Sequence, residues 1–283
     1  MMRSLNSGVS GIQQFQTSMD VLGNNIANVN TVGFKSARIS FADAFSQSLR
    51  PAAPGSGNTS ATPAMQVGTG VTTAAIKNTF LQGALTRTGV ATDLGISGDG
   101  FFLVRDPLSG ATFATRAGDF RLDQNGYLVT NQGFRVQGYA DSGLSTVGDI
   151  QINATGAPAG ADPAAAVENF AVGADGRITV RLSDGTQFVR GQVLLQRFAD
   201  PQVLTKQGNN LYANLAAAGP LAQPAAPGTL GLGRVEAGAL ELSNVDLSNE
   251  FAQLITTQRA FQANARIISS SDELLSELVN LKR

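Results

Sequence analysis

Two short constellations carry residue types that hold ligands in other proteins. Gly98-Asp99-Gly100, with Gly95 nearby, shares its glycines with phosphate-cradling loops. Those loops also need a Lys-Ser/Thr pair and a helix start, whereas here the strand-like run Phe101-Phe102-Leu103-Val104 follows. A turn leading into Phe101 accounts for the glycines. Asp119, Asp123 and Asn125 with Gly126 have part of a calcium-loop pattern, but no bidentate Glu lies at the spacing such a loop requires. A type I′ hairpin, which wants Asn-Gly for its positive φ angles, explains Asn125-Gly126. Paired carboxylates would suit glycoside hydrolysis, yet nothing in the spacing of the 21 Asp and Glu singles out a pair. A third group is amide-rich: Asn24, Asn25, Asn28 and Asn30 before Gly33. It reads equally as a helix stop and as amides that hydrogen-bond across packed subunits.

The chain has neither His nor Cys. That removes the commonest general base, the Ser-His-Asp arrangement, thiolate metal sites and disulfides, leaving carboxylate, Lys or Tyr chemistry for any enzyme. An enzyme is therefore not expected, nor is a cofactor or metal. The 20 Lys and Arg nearly cancel the acids, and no basic run could neutralise a phosphate backbone, so nucleic acid is not an expected partner. No apolar stretch reaches the roughly 20 residues that span a bilayer. Residues 1–20 interrupt their apolar positions with Asn6, Gln13, Gln14 and Gln16, unlike a secretory signal, so export would use another route.

At the N-terminus Leu5, Ile12, Met19 and Ile26 recur every seven residues, with Val9, Phe15, Leu22 and Val29 beside them. That spacing predicts an amphipathic helix ending at the asparagines. At the C-terminus Leu247, Leu254, Phe261, Ile268 and Leu275 repeat at seven, with Phe251, Ala265 and Val279 at d-like positions and Ser243 or Asp246 as cap. Each stripe must be covered, and the two helices are a natural antiparallel pair.

Between them the period changes to two. Phe101–Val104, Phe120–Leu122, Tyr127–Val129, Arg177–Leu182, Gln187–Arg190 and Gln192–Phe198 read as strands separated by Asn-Gly and Asp-Gly turns. The expected fold is α+β: an N-terminal helix in 1–42, an extended arm in 43–70, an antiparallel β domain in 71–235, and a C-terminal helix in 236–283. Stretches 156–166 and 216–233 are too rich in Ala, Gly and Pro to bury much area and read as loops.

Both ends carry a recognisable pattern. Met19–Thr31 with Gly33-Phe34-Lys35 resembles the N-terminal signature of the flagellar rod and hook axial family. Gly238–Asp246 and Thr257–Asn264 are similar to its C-terminal signature, and Thr115-Arg116-Ala117-Gly118 and Val136–Tyr139 to its shared β domain. Ser7–Gly11, Phe41-Ala42-Asp43 and Leu278–Leu281 are most similar to hook members, while the short 141–205 segment and Gly208–Tyr212 are rod-like and keep a distal rod member as the alternative. The resemblance implies a helical homopolymer in the flagellar hook or basal body, with the terminal helices as a coiled-coil core around an export channel. It also implies adjacent axial partners, including rod, hook-cap and hook–filament junction proteins, and delivery by the type III export apparatus. The residues expected to pack between subunits are Leu5, Ile12, Met19, Leu22, Asn24, Asn25, Ile26, Asn28, Leu247, Phe251, Leu254, Phe261, Ile268 and Leu275.

Overall fold

In a computed structural model the apolar spacing of the N-terminal residues builds helix α1, Met2–Ala27, and that of the C-terminal residues builds α2, Leu247–Leu281. The structure describes residues 2–52, 60–158, 162 and 165–281; parts of the expected arm (53–59) and of the 156–166 loop (159–161, 163–164) lie outside them. Asp246 caps α2, its Oδ1 accepting from the Ser248 N–H at 2.9 Å and the Asn249 N–H at 3.4 Å.

The chain divides into two units. The terminal unit comprises Met1–Ala27, Ser36–Thr79 and Val245–Arg283; the β unit comprises Asn28–Lys35 and Phe80–Asn244. These boundaries differ from the sequence expectation. After α1 the chain enters strand β1, Ala37–Asp43, and the expected arm contains β2, Ser46–Arg50, and β3, Met65–Gly68, which pair with each other. Strand β4, Val71–Asn78, expected in the β domain, pairs antiparallel with β1. These strands are short and largely exposed, so no long apolar run marks them in the sequence.

In the terminal unit β1 and β4 lie on α1. Ser10 Oγ accepts from the Val71 N–H at 3.4 Å, and the Thr73 hydroxyl donates to Gln14 Oε1. Phe15 meets Phe41 edge to face, centroids 5.9 Å apart.

The β unit is a mainly antiparallel body. Its main sheet runs in the order Val167–Val172, Arg177–Leu182, Gln187–Val193, Arg135–Tyr139, Phe101–Arg105, Thr112–Thr115, Leu211–Ala213 and Thr205–Gly208. Its core contains Leu94, Ile96, Phe102, Val104, Val136, Ile178, Val180, Leu182, Val193 and Leu195. A second cluster sets Phe101 edge to face with Phe198 and Tyr212, and Phe80 closes it at centroid distances of 5.7 Å from Phe101 and 5.5 Å from Tyr212. Strand Arg234–Ala237, which straddles the expected boundary at 235, and strand Ala239–Glu241, inside the stretch expected to be C-terminal helix, pair with Leu94–Ser97 and Leu85–Arg87.

Candidate functional site

The ligand-like constellations resolve into turns. Asp123 Oδ1 accepts from the Asn125 and Tyr127 N–H groups at 2.8 Å and 2.9 Å, and Gly126 adopts φ +79°. The carboxylate is spent on the hairpin, and among the described residues no group of three or more metal-ligating side chains occurs. Gly98 and Gly100 shape a turn closed by the Gly233 N–H donating to the Asp99 carbonyl at 2.7 Å.

What remains is the helix pair. A Cβ built on Gly8 would lie 3.2 Å from Ile268, and one on Gly11 would lie 2.7 Å from Asn264 Nδ2. At the far end Asn25 meets Glu250, so α1 and α2 run antiparallel. The glycines let the helices approach at one end, and amide chemistry joins them at the other. Asn25, fully buried, donates to the Ala37 carbonyl at 2.8 Å and to Glu250 Oε2 at 3.2 Å, and accepts from the Ala37 N–H at 3.0 Å. One side chain thus joins both helices to β1.

The seam has an unexpected alternation. On α2 the a positions Leu254, Phe261, Ile268 and Leu275 are half-buried, but the inward d positions are Glu250, Thr257, Asn264 and Ser271. Phe251 and Leu247, expected to pack, are exposed by 47% and 39%, and Val279 by 65%. Ile255, Ile267 and Leu274 add further exposed apolar surface to α2. On α1, Leu22 is buried, Leu5, Ile12, Met19 and Ile26 are half-buried, and Asn24 is exposed. Asn28, in the β unit, serves the turn: its Oδ1 accepts from the Thr31 hydroxyl at 3.1 Å. Asn25 and Asn28 therefore work inside the chain.

Sequence reasoning did not single out the charged residues of its own motifs. In the β unit Lys35 Nζ donates to Glu241 Oε1 at 2.6 Å, and Arg116 Nη1 to Glu241 Oε2 at 3.3 Å. Their side chains are at most 3% exposed. Burial pushes the Lys35 and Arg116 pKa values down, and the Glu241 carboxylate pushes both back up. Burial also drives the neighbouring Tyr212 phenol upward. The signal was present in Gly33-Phe34-Lys35, Thr115–Gly118 and Gly238–Asp246, but a charged residue in sequence reads as surface.

Comparison with known proteins supplies what geometry does not. Three family models match: the flagellar basal body rod protein over residues 5–35, the flagellar hook protein FlgE/F/G D1 domain over 95–180, and the flagellar basal body rod FlgEFG protein C-terminal region over 236–281. The flagellar basal-body rod protein FlgG of Bacillus subtilis is 40% identical over 283 residues, covering all of both chains. The chain belongs to the flagellar rod and hook axial protein family. The FlgG of Borreliella burgdorferi is 34% identical across the full length of both chains. The Borreliella burgdorferi flagellar hook protein FlgE is 28% identical in an alignment of 444 positions that covers both chains completely. As a member of this family the chain is an axial structural protein of the flagellar basal body or hook, not an enzyme.

Proposed function

We propose that this chain is a distal rod subunit, polymerising through α1 and α2 into a helical tube whose core is a coiled coil of these helices. What supports the rod reading over the hook reading preferred on motif similarity alone is length. FlgG relatives align end to end with this chain, whereas the hook relative spreads over 444 positions and so carries long segments with no counterpart in these 283 residues.

The reading of the helices as the assembly surface is carried by one observation: they leave apolar side chains in water that a single chain does not cover. Phe251, Ile255, Ile267 and Leu274 are each at least 45% exposed. An unclosed head-to-tail contact through such faces propagates into a filament rather than a ring. Leu5, Ile12, Met19, Leu254, Phe261, Ile268 and Leu275 are the half-buried residues that a neighbouring copy completes. Export of the chain through the type III apparatus, and docking on adjacent rod and hook proteins, belong to the same reading.

The test is genetic and structural. A strain lacking the gene should assemble basal bodies that stop short of a hook, and the chain supplied on a plasmid should restore them. Electron cryotomography of an epitope-tagged copy should then show density inside the rod. Label confined to the curved hook would return the assignment to the hook class.

A further inference from the structure

Three of the motifs that resemble the axial family each send one charged residue to a place that water does not reach. Lys35 ends the N-terminal signature, Arg116 lies in the central motif, and Glu241 in the C-terminal one. Replacing a buried ion cluster by apolar groups of similar size is commonly neutral or stabilising, so stability alone does not account for it. Arg116 Nε is buried without a hydrogen-bond partner, a cost that a purely stabilising cluster would not carry.

Position in the chain accounts for it. The chain passes between its units at four places: after residues 27, 35, 79 and 244. Lys35 is the last residue before the second passage, and its Nζ donates to the Leu81 carbonyl at 2.8 Å as well as to Glu241. Leu81 follows the third passage by two residues, and its carbonyl also accepts from Asn244 Nδ2 at 3.2 Å. Asn244 is the last residue before the fourth. Glu241 Oε1 accepts the Gly83 N–H at 2.8 Å, and the Glu241 carbonyl accepts the Gly33 N–H at 2.8 Å. Segment 28–35, between the first two passages, is held again by Asn210 Nδ2 on the Val32 carbonyl at 2.7 Å and by Lys206 Nζ on the Lys35 carbonyl at 2.9 Å. Arg116 ties the cluster to the second core cluster, its guanidinium 5.2 Å from the centre of the Phe101 ring.

We propose that Lys35, Glu241 and Arg116 form a mechanical clamp that fastens the chain passages to one point of the β unit, so that force arriving along the chain is shared among bonds loaded together rather than peeling strands one at a time. An ammonium suits this task because it holds a carboxylate and a carbonyl at once in fixed directions, where apolar contacts would slide. The proposal deepens the axial reading, in which such force comes from the rotating tube.

The clamp is tested on the purified full-length chain, without any polymer. The sequence has no Cys, so one Cys added at each end allows pulling from both termini in a force spectrometer. The variant Lys35→Met/Arg116→Met/Glu241→Leu removes every charge while filling the space. We expect its thermal unfolding to stay within a few degrees of the parent and the force that opens its β unit to fall about two-fold, since forced opening follows the unfolding barrier and not equilibrium stability. Equal opening forces in the two chains overturn the clamp. If the triple variant does not fold, Lys35→Met leaves the Glu241–Arg116 pair balanced and removes the bonds to Glu241 and to the Leu81 carbonyl. It should show a smaller drop in force, and no drop would overturn the proposal equally. Failure of the parent chain to restore motility in the deletion strain would instead refute the axial reading, and leaves the pulling result untouched.

Discussion

The two units of this chain solve opposite problems. In the β unit apolar residues disappear: Ile96, Phe102, Val104, Val136, Val180, Leu182, Val193 and Leu195 are all fully buried. In the terminal unit, among the described residues, the buried apolar side chains are Leu22 and Ala37 alone, while Phe45 is 91% exposed and Met65, Ile76, Phe251 and Ile255 are each between 47% and 52% exposed. The terminal unit is knit by polar contacts instead, from Asn25 on Ala37 and Glu250 to Ser10 on Val71. A unit that buries so little apolar surface cannot offset much conformational entropy by itself. On the proposed reading other copies complete it, whereas the β unit buries an apolar core of its own.

The largest expected effect separates the two units outright. Phe102→Ala empties a fully buried ring site and should cost about 3–5 kcal/mol in the β unit. Phe261→Ala, at a half-buried site, should cost the isolated chain only about 1 kcal/mol and yet abolish assembly. Chemical denaturation of the monomer and sedimentation of the polymer read the two numbers. A monomer that loses as much from Phe261→Ala as from Phe102→Ala would mean that the terminal unit has a core after all.

Next is Asn25→Ala, which strands a buried N–H, a carbonyl and the Glu250 carboxylate together, at about 2–3 kcal/mol. Because the terminal unit has little stability to lose, hydrogen exchange should rise throughout α1 and β1 and stay unchanged in the strand Arg177–Leu182. Uniformly faster exchange in both units would show that they unfold as one.

Two glycines of α1 sharpen the picture of the seam. Gly23 is exposed with nothing within 4 Å of its missing Cβ, so Gly23→Ala should stabilise the helix by about 1 kcal/mol. Gly11→Ala should forfeit that gain, since its Cβ would press on Asn264 at 2.7 Å. Circular dichroism melts of the helical signal compare them, and equal gains would place the seam elsewhere. Should Gly23→Ala raise monomer stability while blocking assembly, that open face of α1 is where another copy lands.

The smallest effect belongs to the β unit. Burial, helped by the Asp93 carboxylate, raises the Asp119 pKa against bonds from its own backbone and from Asn131. A carboxyl with a raised folded pKa favours folding while protonated, and that contribution is lost as pH rises through the folded value. At neutral pH Asp119 is therefore a modest liability. Asp119→Asn should raise the melting temperature by about 2 °C at pH 7, with the advantage gone below about pH 4. A gain independent of pH would show that charge is not its source.

Legibility in the sequence followed the same division. Seven-residue spacing announced α1 and α2, and Asn-Gly and Asp-Gly turns announced the hairpins, because both signals lie within one helix face or one turn and depend on neighbours a few residues away. β1, β2 and β3 are not legible as strands because they are short and their partners lie far along the chain, and β4, within the expected β domain, pairs with β1 instead. Apolar character places Phe251, Ala265 and Val279 at the d-like positions of α2; of these only Ala265 is half-buried, while Glu250, Thr257, Asn264 and Ser271 also turn inward, and only the packed helix shows which way each residue turns. The motifs containing Lys35, Arg116 and Glu241 identified the family from their letters alone. That three charges 206 residues apart at the extremes share one dry site could come only from the tertiary structure, since burial and pairing are properties of the folded neighbourhood.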